Sequence, residues 1–200
     1  MAKRPRARDA VLDAFERLLI DVGERAATLD AVAKSSGLSK GGLLYHFPSK
    51  EALIAASLER LDHLAASDLA QMAAAPEGAA SYFIKASLWS NSPMDHSFLA
   101  ATRLSAVGHQ EARHRLSAMQ KQWLIVIGED VGTAMAKAVL CMGDGLYYNA
   151  MWRSGPSGKA EHRPTELNAL LAVVGRLKSR EHGQEGHPPP RQDQRAEAPC

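Results

Sequence analysis

Between Thr28 and Lys50 the chain reads TLDAVAKSSGLSKGGLLYHFPSK, and its side chains suit contact with a polyanion. Lys40, Gly41, Tyr45 and His46 share the outward side of a short segment, and no acidic residue occurs between Asp30 and Glu51. A lysine pairs with phosphate as a point charge, whereas tyrosine and histidine can hydrogen-bond to base edges. Two short helices around a tight turn must position these groups. Thr28 can N-cap the first, whose inward face offers Leu29, Val32 and Ala33, and Gly37 supplies a residue able to take positive φ. Ser39 can N-cap the second, Lys40 to Phe47, with Leu43 and Phe47 one turn apart on the buried side before Pro48 stops it.

The flanking chain reads as helix throughout. Residues 1–8 carry Lys3, Arg4, Arg6 and Arg8 without a core-forming residue, a basic arm that serves either solubility or extra phosphate contact. Val11, Leu12, Phe15, Leu18, Leu19 and Val22 recur at helical spacing up to Gly23. Ser49 caps a long helix with Leu53, Ile54, Leu58, Leu61 and Leu64 on one side, ending near Pro76. Tyr82 to Trp89 forms a short aromatic helix, and Ser92-Pro93 with Asp95 starts another that Gly108 ends. A further helix runs from Gln110 to Ile127 and breaks at Gly128-Glu129-Asp130. Val131, Met135, Ala138, Val139, Met142, Leu146 and Ala150 mark the next, and Pro164-Thr165 opens a last one with a leucine stripe to Leu177. Ser154 to Gly158 reads as a loop. Residues 181–200 hold no Leu, Ile, Val or Phe, so the segment cannot offset its ordering entropy and is expected to be disordered. No strand pattern occurs.

The run GLSKGGLLYHFPSKEAL, Gly37 to Leu53, is similar to the helix-turn-helix signature of the TetR family of transcriptional repressors. That resemblance implies an all-α protein of about nine helices, with a three-helix N-terminal DNA-binding domain and a larger C-terminal domain for effector binding and dimerisation. On this division residues 9–48 form the DNA-binding domain and residues 49–180 the effector-binding and dimerisation domain. It also implies that Thr28 faces a phosphate from a helix start and that Lys50 is a phosphate-contacting lysine. Ser39, Lys40, Gly41, Gly42, Tyr45 and His46 match positions that touch bases or backbone in the major groove. Where many relatives carry Tyr after the Leu of the second helix, this chain has Leu44. The paired glycines either permit close approach to DNA or tolerate a crowded turn.

Residues 79–152 concentrate aromatic and methionine side chains, including all three tryptophans. The ensemble is read as an effector pocket for a lipophilic or aromatic molecule, although each residue alone also fits a core. Trp89, Phe98 and Trp123 are the lining candidates, with Met119 and Met142 as adaptable surface and Asn91, Asp95 or His96 for polar contact. The aromatic faces also suit a cation. Gly132, Ala134, Ala136, Ala138, Gly143 and Gly145 permit close helix approach in the eighth helix. Two-fold pairing of the last two helices would present two recognition helices to an inverted-repeat, double-stranded operator.

The remaining composition narrows the function classes. A net charge of +2 and 46% hydrophobic residues describe an ordinary soluble protein, so any nucleic-acid signal is local. Cys141 and Cys200 make no disulfide framework, and with no secretory signal or membrane-length apolar run the expected location is cytoplasmic. The eight histidines have no metal-ligand spacing, so neither metal nor cofactor is expected. Without a phosphate loop, nucleophile elbow or sheet, the chain reads as a non-enzyme. The rival readings are a helical ligand or interaction module without DNA binding, and an activator in place of a repressor.

Overall fold

The computed structural model describes residues 7–154 and 164–184, which form nine helices and no strand. They are α1 (Ala7–Asp21), α2 (Leu29–Ser36), α3 (Lys40–His46), α4 (Lys50–Ala73), α5 (Ala79–Ala86), α6 (Pro93–Ala106), α7 (Gln110–Val131), α8 (Thr133–Ser154) and α9 (Pro164–Gln184). The chain is all-α, with a three-helix N-terminal unit followed by a larger helical region. Of the basic arm, Lys3, Arg4 and Arg6 lie outside the described residues, while Arg8 belongs to α1 and stacks over the Phe47 ring at 5.4 Å. The 155–163 connection and the tail beyond Gln184 also lie outside them; α9 itself continues four residues into the segment expected to lack order.

Local chemistry starts most of these helices. Thr28, Ser39 and Ser49 place side-chain oxygens 3.1 to 3.2 Å from a backbone N–H three residues on. Ser92 and Asp95 form a full capping box at α6, with Pro93 in the first turn. Gly37 ends α2 in the left-handed region at φ 74°, so Leu38 N can return to the Ala33 carbonyl and the chain reverses into α3.

Two ends depart from the sequence expectation. The Gly128-Glu129-Asp130 stretch does not break α7, which continues to Val131 and stops at Gly132, φ 78°. The reason is tertiary. Asp130 accepts from Ala80 N at 2.9 Å and pairs with Lys178 at 2.9 Å, supplying the cap that Gly78 lacks at the start of α5 and tying in α9. The aromatic helix α5 likewise ends at Ala86, so Trp89 is buried from a connecting segment instead of from a helix.

Two apolar clusters hold the fold. The first joins Phe15, Leu43 and Phe47 of the N-terminal unit to Leu53 and Leu58 of α4, Leu99 and Leu104 of α6, and Tyr147 of α8. The second joins Met72, Ile84, Ile127, Val139 and Val174 from α4, α5, α7, α8 and α9. Helix α1 packs more extensively on α6 than on α4, so the N-terminal unit rests on the larger region through two helices. In α8 the inward face is Ala136, Val139, Leu140, Gly143, Leu146, Tyr147 and Ala150, while Ala138 faces outward.

Candidate nucleic-acid interface and effector cavity

Helix α3 buries Leu43 and leaves two exposed rows, Lys40 with Leu44 and Gly41 with Tyr45, each four residues apart. Tyr45 is 86% exposed, and its ring meets that of the exposed His46 edge-on at 5.2 Å. Leu44 is also exposed, adding an apolar contact next to the tyrosine. The glycines differ in kind. A Cβ on Gly41 would meet nothing within 4 Å, whereas one on Gly42 would lie 3.3 Å from the Ser39 Oγ that caps the helix. Crowding therefore accounts for Gly42 and not for Gly41.

The two lysines also differ. Lys40 pairs with Asp30 at 2.9 Å with both side chains largely exposed, an ion pair worth at most about 1 kcal/mol and therefore easily exchanged for a phosphate. Lys50 is more enclosed: its Nζ donates to the Glu24 carbonyl at 2.6 Å and pairs with the Glu24 carboxylate at 2.5 Å. It braces the α1–α2 connection. Thr28 and Ser39 are exposed, with their oxygens engaged as helix caps.

A second site opens between five helices of the larger region. Asp68 of α4, Phe83 and Ser87 from α5 and its end, Met94, Asp95 and Phe98 of α6, Trp123 of α7, and Gly143, Asp144 and Tyr147 of α8 surround a cavity of about 70 Å³. Its aromatic walls are continuous: Phe83 to Trp123 at 5.4 Å, Trp123 to Phe98 at 6.3 Å, and Phe98 to Tyr147 at 5.4 Å between centroids. Asp68 accepts from the Tyr82 hydroxyl at 3.0 Å; burial pushes its carboxyl up, opposed by Tyr82 and by the neighbouring Trp123. The Trp123 indole N–H nevertheless forms no well-aligned hydrogen bond. Burial likewise pushes the Tyr82 hydroxyl up to about 12, with Asp68 adding to it. Asp95 is engaged through Oδ2, which accepts from the N–H and hydroxyl groups of Ser90 and Ser92 at 2.8 to 3.1 Å.

Of the eight residues expected at an effector pocket, Asp95, Phe98 and Trp123 line this cavity. Trp89 lies behind it against Tyr147 at 5.5 Å. Asn91, at φ 59° in the α5–α6 connection, holds His96 Nε2 at 2.7 Å outside it. Met119 lines a separate groove of about 210 Å³ between α4 and α7, with Trp123 as the shared wall. Met142 packs with the second core cluster. The sequence reading missed Asp68 and Asp144. Asp144 carried a usable signal, an acid between two glycines in an otherwise apolar helix, whereas Asp68 looks like any surface helix carboxylate.

The larger region is joined to the N-terminal unit by a buried acid. Glu16 of α1 is 1% exposed, and its Oε1 accepts from Ser57 Oγ of α4 at 3.1 Å and from Ser97 Oγ of α6 at 2.8 Å. Arg60 of α4 lies 3.8 Å from Oε2 and 2.5 Å from Asp13 of α1. Burial pushes the Glu16 carboxyl up, and Arg60, Ser97 and Ser57 pull the other way.

A family model, "Bacterial regulatory proteins, tetR family", matches residues 11–57, which span α1 to α3 and the start of α4. Residues 11–57 thus form an N-terminal domain of the TetR type. Solved structures extend the likeness to the TetR fold as a whole. A transcriptional regulator of Streptomyces coelicolor A3(2) aligns with TM-score 0.57 at 17% identity, covering 88% of this chain and 99% of that one. A TetR-family transcriptional regulator from Rhodococcus sp. gives 0.58 at 18%, covering 86% and 98%. Salmonella enterica GusR gives 0.60 at 16%, covering 89% and 98%. No curated protein matches the chain. A TetR-type head supports a DNA-binding transcriptional regulator, a class whose members are generally not enzymes. No helix among the described residues is long and apolar enough to cross a membrane.

Proposed function

We propose that this protein is a homodimeric TetR-family repressor that leaves an inverted-repeat operator when a small lipophilic or aromatic effector occupies the five-helix cavity. The single observation that carries this reading is the double role of α6. Phe98 lines the cavity, and the adjacent Ser97 donates to Glu16 of α1, so a ligand that displaces α6 pulls on the DNA-binding head. An effector shifts the balance of operator-binding and released forms only by its differential affinity for the two. Residues 9–48 act as the head and 49–180 as the effector and dimer region. In the head, Lys40, Tyr45 and His46 read the major groove with Gly41 admitting close approach, while Thr28, Ser39, Gly42 and Lys50 fix the helices against the backbone.

Pairing through α8 and α9 is supported by an outward stripe on α8 of Ala134, Ala138, Cys141 and Trp152, with Gly145 half-buried among them. Ala136 and Gly143 have a different task, because both are buried within their own chain and a Cβ on Gly143 would fall 2.3 Å from Phe83 Cε1. The test is to incubate the protein with a randomised duplex library at physiological salt and sequence what it retains. Enrichment of an inverted repeat, with affinity falling steeply as salt rises, is the expected result. Retention of no sequence by a folded dimer, or salt-insensitive binding, would favour a ligand module without DNA binding.

A further inference from the structure

We propose that the five-helix cavity binds a small organic cation, a quaternary or alkylated ammonium seated between the Asp68 and Asp144 carboxylates and the aromatic walls. The inference rests on the reading of this cavity as the effector site, and it replaces the neutral lipophilic effector of that reading with an alkylated ammonium. Three carboxylates line the cavity, and among the described residues no Lys, Arg or His does. They are not equivalent. Asp95 commits its Oδ2 to the Ser90 and Ser92 donors, and Asp68 accepts from one phenol. Asp144, half-buried, has no hydrogen bond or ion pair among the described residues. Burial pushes its carboxyl up, so an arriving positive charge would offset a desolvation cost that the free protein bears.

The walls point the same way. Phe83, Phe98, Trp123 and Tyr147 come from four different helices and line the space with linked rings, whose faces attract cations. An anionic ligand would meet three carboxylates without a counter-charge. A neutral lipophile would fill the space and leave the half-buried Asp144 unpaired. A bare metal ion is disfavoured because the carboxylates share the cavity with rings, and no group of three metal-ligating side chains forms among the described residues. Size narrows the class further. At about 70 Å³, and with roughly 10 to 15 Å³ required per water-sized group, the cavity holds about five to seven such groups. That is the size of tetramethylammonium or choline.

The test titrates the full-length protein by calorimetry with choline, with its neutral isostere 3,3-dimethylbutan-1-ol and with the anion 3,3-dimethylbutyrate. Release from the duplex enriched in the library experiment is measured in parallel. Choline is expected to bind at least roughly tenfold more tightly than the alcohol, and the anion not at all. Asp144→Asn, nearly isosteric, is expected to lose that preference while its melting temperature does not fall and its affinity for the alcohol is kept. Equal or tighter binding of the alcohol or the anion, or no binding of choline by the wild-type protein, overturns the assignment without needing any variant. The two readings fail separately. Choline binding that depends on Asp144 but leaves the duplex bound supports the cation site and rejects the cavity as the effector switch. Release by the neutral alcohol as readily as by choline keeps the switch and overturns the cation.

Discussion

Replacing Gly41 by alanine separates folding from DNA binding in one substitution. Gly41 sits in the first turn of a seven-residue helix, is exposed, and offers empty space for a Cβ. Alanine loses less backbone freedom on folding than glycine, by about 0.5 to 1 kcal/mol in a helix. For a chain of this size each kcal/mol moves the melting temperature by about 2 to 4 °C, so Gly41→Ala is expected to melt up to about 4 °C higher. The same methyl group projects from the exposed row shared with Tyr45. If that row enters the major groove, the added carbon overpacks a close contact at a cost of about 1 to 3 kcal/mol, a five- to 150-fold loss of operator affinity. Thermal denaturation and fluorescence anisotropy on one preparation read both effects. Gly42→Ala is the contrast: its Cβ crowds the Ser39 Oγ at 3.3 Å, disturbs the cap, and should lower the melting temperature. A Gly41→Ala protein that melts higher and binds the operator unchanged would refute the placement of this row at DNA. One that melts lower would refute the steric argument itself.

Other substitutions probe the remaining links. Lys40→Ala should lower operator affinity at every sequence and reduce the salt slope by about one, whereas Tyr45→Ala should alter sequence preference; identical effects would reject that division. Lys50→Ala should also lower the melting temperature, because Nζ anchors Glu24 through both its carbonyl and its carboxylate; unchanged melting would show the brace to be idle. Glu16 gives a pH signature. Its folded carboxyl is raised above the ordinary 4.5, so the fold favours the protonated form, and this stability is complete below about pH 4.5 and lost as pH rises through the raised value. Urea denaturation of wild type and Glu16→Gln should therefore diverge above about pH 4.5 in favour of the variant, and parallel pH profiles would reject a raised carboxyl. Gly143→Ala should cost about 1 to 3 kcal/mol and drive the Phe83 ring toward the cavity, weakening effector response; an unaffected melting temperature and response would show that the α5–α8 contact can relax.

The helix-turn-helix was legible in the sequence because its determinants are local. Thr28, Ser39 and Ser49 cap through contacts three residues away, Gly37 turns the chain by its own φ, and Leu43 and Phe47 are buried one turn apart. Helix ends set by distant partners were not legible. Asp130 sits in a glycine-containing triplet that looks like a break, yet it caps α5 fifty residues earlier in the chain, and its helix continues past it.

The functional geometry divides along the same line. The sequence alone determined the all-α architecture, the helix-turn-helix and the exposed residues of α3, because period, capping and charge are properties of neighbours along the chain, and its resemblance to the TetR signature implied the DNA-binding head. Only the tertiary structure decided which aromatic residues enclose a space and which fill the core. Trp89 and Trp123 are indistinguishable as residue types, but one lies behind Tyr147 and the other walls the cavity. Tertiary structure also brought Asp68 and Asp144 to one cavity and joined Glu16 to Ser97 across eighty-one positions of chain. Contacts at such separation depend on how whole helices pack, and no local pattern encodes them.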